Sequence, residues 1–352
     1  MLDRSLREWL DERAAELDCS GELSHALLQK LAEANLFRIG IAPASGGSGG
    51  TLLDAIDAIS AVARHSLTAA FMFWGHRTYI DILTQAPESA LRDRLLPDLL
   101  AGRLAGATGL SNAMKFLSGL EELQVGGVPD GEGGWRLSGQ LYWVTNLQTR
   151  GFQAITVVQP DDGGEPFIAS IGSGLSGVSR SDDLALMAMQ GSATAALRFD
   201  DVALEQDGVI HPVARAFLPA VRPRFLGLQC GMALGLAERI LDECRDRLSD
   251  GHVLRDEWQA LTRRYRQIRS DIYAGVESQR FVQQPGELFR LRIGLVELAM
   301  SGIQLELMLT GGRAYLSPQG DGTARRWREC AFLPLVTPSV VQLKQQLARL
   351  PS

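Results

Sequence analysis

Lysine is nearly missing from this chain of 352 residues: Lys30, Lys115 and Lys344 are the only three, and arginine carries the rest of the positive charge. That bias can follow genome composition and excludes nothing by itself. Cysteine is almost as rare. Cys19, Cys230, Cys244 and Cys330 are far apart and form no C-x-x-C pair, which argues against a zinc or dithiol redox motif. Cys230 and Cys244 fall in an apolar stretch that reads as helix, where buried free thiols are expected. His25, His65, His211 and His252 have no metal-ligand spacing, so no metal site is expected. An excess of positive charge is also lacking. The formal charge is -6, and nucleic-acid binding usually shows a basic face. No uncharged run reaches the ~18 residues of a spanning helix. The first residues, Met-Leu-Asp-Arg-Ser-Leu-Arg-Glu, have no apolar signal core. The expectation is a cytoplasmic protein with no membrane segment and no nucleic-acid partner.

What is present is an ordinary globular composition, 45% hydrophobic and 22% charged, in a chain long enough for two or three packed units. Three textures follow one another. Residues 1–105 read as helices, with apolar residues at helical spacing in Asp3–Leu17, Leu23–Ala34 and Leu52–Ala63, and an amphipathic helix from Pro87 to Ala101. Gly46, Gly47, Gly49 and Gly50 break the helical pattern into a loop. Residues 106–212 alternate in polarity and carry Gly-rich turns. Trp135–Thr145, Ala154–Val158, Phe167–Ile171 and Ala195–Phe199 read as short strands of a small antiparallel domain. Residues 213–352 return to helix, expected over about 219–248, 253–282, 287–311 and from about 338. The helix over 287–311 has two apolar seams, one through Leu288, Leu295 and Leu305, the other through Phe289, Val296 and Ile303. Two seams mean burial from two sides. The fold class is therefore α+β, mainly α: a helical domain, a small β domain and a four-helix bundle.

That order resembles the acyl-CoA dehydrogenase superfamily, and short segments in the matching order carry the resemblance. Gly46-Gly47-Ser48-Gly49 is similar to the family's "GG-x-G" loop. Leu104 to Asn112 stands where "A-x-T-E-P" opens the β domain. Trp143-Val144-Thr145-Asn146 resembles "W-I-T-N", and Gly191 to Val202 resembles "S-x-T-x-x-L-x-F-x-x-V". Gly311-Gly312-Arg313-Ala314-Tyr315 and Arg325 to Glu329 resemble "GG-x-G-Y" and "R-x-x-R-D".

The resemblance implies a flavin, FAD with FMN as the alternative. It implies contacts from Leu110 and Ser111 to the pyrimidine edge, from Trp143, Val144 and Thr145 beside the ring, and from Ser339. It implies that Gly311 and Gly312 meet a neighbouring subunit's flavin; a helix C-cap is the other reading of that pair. Ser118, Arg245 and Arg247 are phosphate candidates, with a solvated helix end the plainer reading of the two arginines. A homodimer or homotetramer is implied, and the two-seam helix fits one, having more apolar surface than one bundle edge uses. Partners would be a small-molecule substrate such as an acyl-CoA, with an electron-transfer flavoprotein or a flavin reductase. The family's dehydrogenases take a proton alpha to a thioester with a Glu, and that slot is Thr337 here. The alternative slot near Arg222 holds no carboxylate either. His76, beside aromatic residues, is the one other catalytic candidate, with a packed structural histidine as the plainer reading. The function expected is an acyl-CoA dehydrogenase-like oxidoreductase passing hydride from an acyl thioester to flavin, with a two-component flavin monooxygenase as the first alternative and a non-catalytic binding relative as the second.

Overall fold

The computed structural model describes residues 2–316 and 322–350. Five helices open the chain: α1 (Arg4–Cys19), α2 (Ser24–Glu33), α3 (Leu52–Ala63), α4 (Leu67–Gln85) and α5 (Ala90–Leu100). Helix α4 is the hub. Every residue from Leu67 to Leu83 is buried, so the helix has no polar face and shows no amphipathic period in the sequence. Helix α5 starts at Ala90 rather than Pro87, because the Ser89 hydroxyl accepts the Arg92 N–H and caps it.

The next region holds β1 (Ala105–Thr108), α6 (Ser111–Leu117), β2 (Val125–Pro129), β3 (Trp135–Val144), β4 (Phe152–Pro160), β5 (Phe167–Gly172), β6 (Val178–Arg180), β7 (Ala195–Leu204) and β8 (Val209–His211). The sheet runs β6-β7-β3-β2-β4-β5-β8, with β1 beside β4. Most pairings are antiparallel, but β1 and β2 each run parallel to β4. These short strands and α6 are too short to show a period, which is why only the longer strands were legible.

The C-terminal helices are α7 (Ala214–Arg247), α8 (Arg255–Glu277), α9 (Arg280–Gln283), α10 (Pro285–Thr310), α11 (Thr323–Phe332) and α12 (Val340–Arg349). Helix α7 starts five residues before the expected 219 and runs through Pro219 and Pro223. Both seams of α10 are covered inside the single chain, by α7, α8, α11 and α12. Its apolar surface therefore gives no reason for a second subunit, and that part of the sequence argument is corrected. Helix α10 with the turn after it, Pro285–Tyr315, is long and apolar enough to cross a membrane by length and composition. It is 56% buried over its most apolar window, in the manner of a core helix.

Helix α7 meets α3 along Gly227, Gly231 and Gly235, spaced by four and so on one face. A Cβ at Gly235 would lie 2.0 Å from the Ser60 carbonyl oxygen, and one at Gly231 would lie 2.8 Å from that of Ile56. Backbone cannot yield as a side-chain end can. Gly235→Ala is expected to cost about 1–3 kcal/mol through overpacking, read as a lower urea midpoint. Gly227→Ala is the control, since its Cβ would make only ordinary contact, 3.4 Å from Ile56 Cδ1. If both variants hold the wild-type midpoint, the helices do not approach this closely.

Candidate functional site

A cavity of about 410 Å³ opens where α4, the β1–α6 junction, the end of β3, α7 and the 331–337 segment converge. Aromatic side chains form its inner wall. Phe71 and Trp74 of α4 stack at 5.8 Å, Phe332 of α11 meets Phe71 edge-on at 4.6 Å, and Phe225 of α7 meets Trp74 edge-on at 5.1 Å. The Trp74 indole N–H donates to the Phe225 carbonyl at 3.4 Å. Leu186, Met187, Ala188 and Met189, on the irregular stretch before β7, close another side.

Strand β3 delivers Trp143 to the mouth. Its register with β7 shifts between Leu141 and Val144, and such an irregularity re-aims side chains. Tyr142 and Trp143 both face outward as a result, and Trp143 is 58% exposed. Val144 is instead fully buried, paired with Ala195, and turned away from the cavity. Thr145 is buried but lines the cavity, where its hydroxyl accepts from that of Thr194 at 3.4 Å.

Thr337 forms the opposite wall. Its hydroxyl shares a hydrogen bond with that of Ser111 at 3.0 Å, joining the C-terminal segment to α6. The turn behind it is held from the bundle interior. Arg292 donates to the Leu333 carbonyl at 3.0 Å and, through Nε, to the Gln229 side chain at 3.0 Å; Gln229 donates in turn to the Thr337 carbonyl at 2.9 Å. Arg292 is buried without a carboxylate partner among the described residues, and burial pushes its pKa down.

The site contains five of the residues expected from the sequence: Leu110, Ser111, Trp143, Thr145 and Thr337. The others lie elsewhere. Ser339 caps α12, accepting the Gln342 N–H at 3.3 Å. Gly311 ends α10 with φ 65° and, like Gly312, is exposed outside the cavity lining. His76 is wholly buried one layer behind. Its Nε2 is 2.9 Å from the Leu99 carbonyl, and its Nδ1 accepts the Gly106 N–H at 3.0 Å. Both ring nitrogens are used structurally, and burial lowers its pKa to about 4, which corrects the catalytic candidacy. Residues not anticipated include Thr108, Lys115, Thr194 and Arg328. Thr194 stood inside a motif already singled out, whereas Lys115 gave no signal beyond its rarity.

Residues 1–103 match the family model described as acyl-CoA dehydrogenase, N-terminal domain. The fold of the whole chain is shared with a glutaryl-coenzyme A dehydrogenase in its glutaryl-CoA complex, at a TM-score of 0.85 and 15% identity over 98% of this chain and 92% of that one. It is shared with butyryl-CoA dehydrogenase from Megasphaera elsdenii, at a TM-score of 0.80 and 19% identity over 97% and 92%. This chain carries the family's N-terminal domain over residues 1–103 and has the acyl-CoA dehydrogenase fold. A nitrososynthase from Micromonospora carbonacea var. africana has the same fold, at a TM-score of 0.79 and 20% identity over 98% and 93%. Comparison of the sequence with curated proteins finds no match.

The superfamily's flavin can be tested against these residues. Trp143 offers an exposed flat apolar wall, the hydroxyls of Ser111, Thr145 and Thr194 stand beside it, and the cavity has the size of a small-ligand site. The residues fit the ring of a flavin. The phosphate candidates are engaged otherwise. Arg245 is paired with Asp242 at 2.8 Å, and Arg247 with Glu243 at 2.6 Å. The Ser118 hydroxyl donates to the Met114 carbonyl at 2.8 Å and accepts from Gln346 at 2.6 Å.

Proposed function

We propose that this chain is a flavin-dependent monooxygenase of the superfamily, working with flavin that a separate reductase has reduced. The supporting observation is the chemistry of the cavity wall. Among the described residues that line it, none is Asp, Glu or His. A proton alpha to a thioester is removed only by a base within hydrogen-bond reach. The slot for that base holds Thr337, whose hydroxyl is occupied with Ser111. Oxygenation does not need a carboxylate there. Nor does the fold restrict the chemistry to acyl thioesters, since a protein named a nitrososynthase shares it with the dehydrogenases.

A bound reduced flavin would supply two electrons to molecular oxygen, so that one oxygen atom enters the substrate and the other leaves as water. FAD is the cofactor the resemblance implies and FMN the alternative. The chain itself supplies position and dryness. Trp143 presents a flat face to a planar ring. Phe71, Trp74, Phe225 and Phe332 exclude water from the inner wall, which strengthens every polar contact inside. Thr145, whose hydroxyl accepts from Thr194, keeps its own proton to donate to a ring nitrogen or to the substrate.

The test has two arms. Anaerobic addition of short- to long-chain acyl-CoAs to the flavin-loaded protein is expected to leave the flavin absorbance unchanged. Dithionite-reduced flavin is expected to bind roughly ten-fold more tightly than oxidised flavin, a difference of about 1.4 kcal/mol. Bleaching by any thioester, or equal affinity for the two flavin states, would sink the reading.

A further inference from the structure

The geometry points to Lys115 as the group that reads an anion on the substrate, an apolar or aromatic molecule carrying one carboxylate, phosphate or sulfonate. The inference rests on the cavity being the substrate site, and not on which oxidation takes place there.

Only two charged residues, Lys115 and Arg328, line the cavity among the described residues, and both are cations. That is opposite in sign to the chain as a whole, which has 41 acidic residues against 35 Lys and Arg. A carboxylate-free, cation-bearing cavity with aromatic walls selects an anion with an apolar body.

The two cations are not equivalent. Arg328 is locked: its Nε donates to Asp18 Oδ2 at 3.0 Å, and the Asp18 side chain is 1% exposed. The other Asp18 oxygen accepts the Met189 N–H at 3.2 Å. Turning Arg328 toward a ligand would strand a buried carboxylate, at a cost of about 3–5 kcal/mol. Lys115 is paired with Glu121 at 2.5 Å, and both side chains are about one-third exposed. Open pairs of this kind contribute ~0–1 kcal/mol, so Lys115 can exchange one carboxylate for another at little cost. Glu121 would not be stranded, since it keeps its exposure and a 3.3 Å contact from Asn112 Nδ2.

Position supports the exchange. Lys115 lines both the cavity and a neighbouring hollow of about 150 Å³ that contains Glu121 and Asn112. Its side chain therefore borders both spaces, with the ammonium held on the Glu121 side. Residue type supports it as well. A chain that places only three lysines against its many arginines puts one of them here. An ammonium on a flexible stem can swing between two acceptors, where a guanidinium fork would hold one.

The probe pair is 1-anilinonaphthalene-8-sulfonate, an aromatic anion, and N-phenyl-1-naphthylamine, a neutral molecule of similar shape. Both are titrated by fluorescence against wild type, Lys115→Met and Lys115→Arg at matched thermal midpoints. Lys115→Met is expected to weaken the sulfonate roughly ten-fold while leaving the amine within about two-fold, and Lys115→Arg is expected to fall between. Parallel losses for both probes, or none for either, overturn the inference. FMN and riboflavin titrations separate the substrate from the cofactor. If Lys115→Met weakens FMN but not riboflavin, the residue holds the cofactor's phosphate and the substrate assignment falls. None of these bindings requires turnover. Failure of the monooxygenase reading would leave the sulfonate result standing, and a flat sulfonate result would leave that reading untouched.

Discussion

Glu306→Ala is expected to lose about 3–5 kcal/mol of stability, a large share of the roughly 5–15 kcal/mol that typically holds a domain folded. Glu306 of α10 has no exposed surface, and its partner Arg326 of α11 has almost none. Arg326 Nε donates to Glu306 Oε2 at 3.1 Å, and its Nη2 donates to Oε1. The Thr323 hydroxyl adds a 2.8 Å bond to Oε1. The next carboxylate, Glu243, is 3.8 Å from Arg326. Removing Glu306 leaves a buried guanidinium with one distant partner, and desolvation rather than lost attraction sets the cost. The double variant Glu306→Leu/Arg326→Met separates these causes. Replacing both charges with apolar groups of similar size should recover most of the loss. Helix α11 carries Arg328, Ala331 and Phe332 to the cavity, so Glu306→Ala should also lose flavin affinity at temperatures where it remains folded. A urea midpoint within about 0.5 kcal/mol of wild type would refute the account.

The strands and bundle helices were legible because alternation and helical spacing survive in half-buried elements. Helix α4 was not, because burial on all sides removes the period, and yet it supplies Phe71 and Trp74 to the site. The site was legible where motif and position coincide, as at Trp143 and Thr145. It was not legible where a motif residue serves its own element, as Ser339 does in capping α12 and Val144 in filling the sheet core. The shift in β3 that turns Trp143 outward leaves no mark in composition. Lys115 was passed over for a similar reason. A scarce residue type becomes informative only once the fold shows which cavity it borders.

His76 makes the clearest case of a candidate catalyst turned structural, and its titration gives a second large effect. Burial lowers its folded pKa to about 4, from an ordinary 6.5. The Leu99 carbonyl acts the other way, raising the pKa, but is outweighed; neighbouring Arg77 lowers it further. Protonation would also cost the bond in which Nδ1 accepts the Gly106 N–H, loosening α4 from β1. The folded state holds fewer protons than the unfolded state between these two values. The neutral ring's contribution is therefore complete above pH 6.5 and is lost as the pH falls from 6.5 toward 4. A gap of this size corresponds to about 3 kcal/mol. His76→Gln should lower stability at pH 7.5 and flatten the fall below pH 6.5. The difference in slope between the two proteins should approach one proton, which removes the contribution of carboxylates common to both. Equal slopes, measured by urea unfolding across that window, would mean that His76 titrates alike in both states. The burial and the paired ring nitrogens would then not be what holds it neutral.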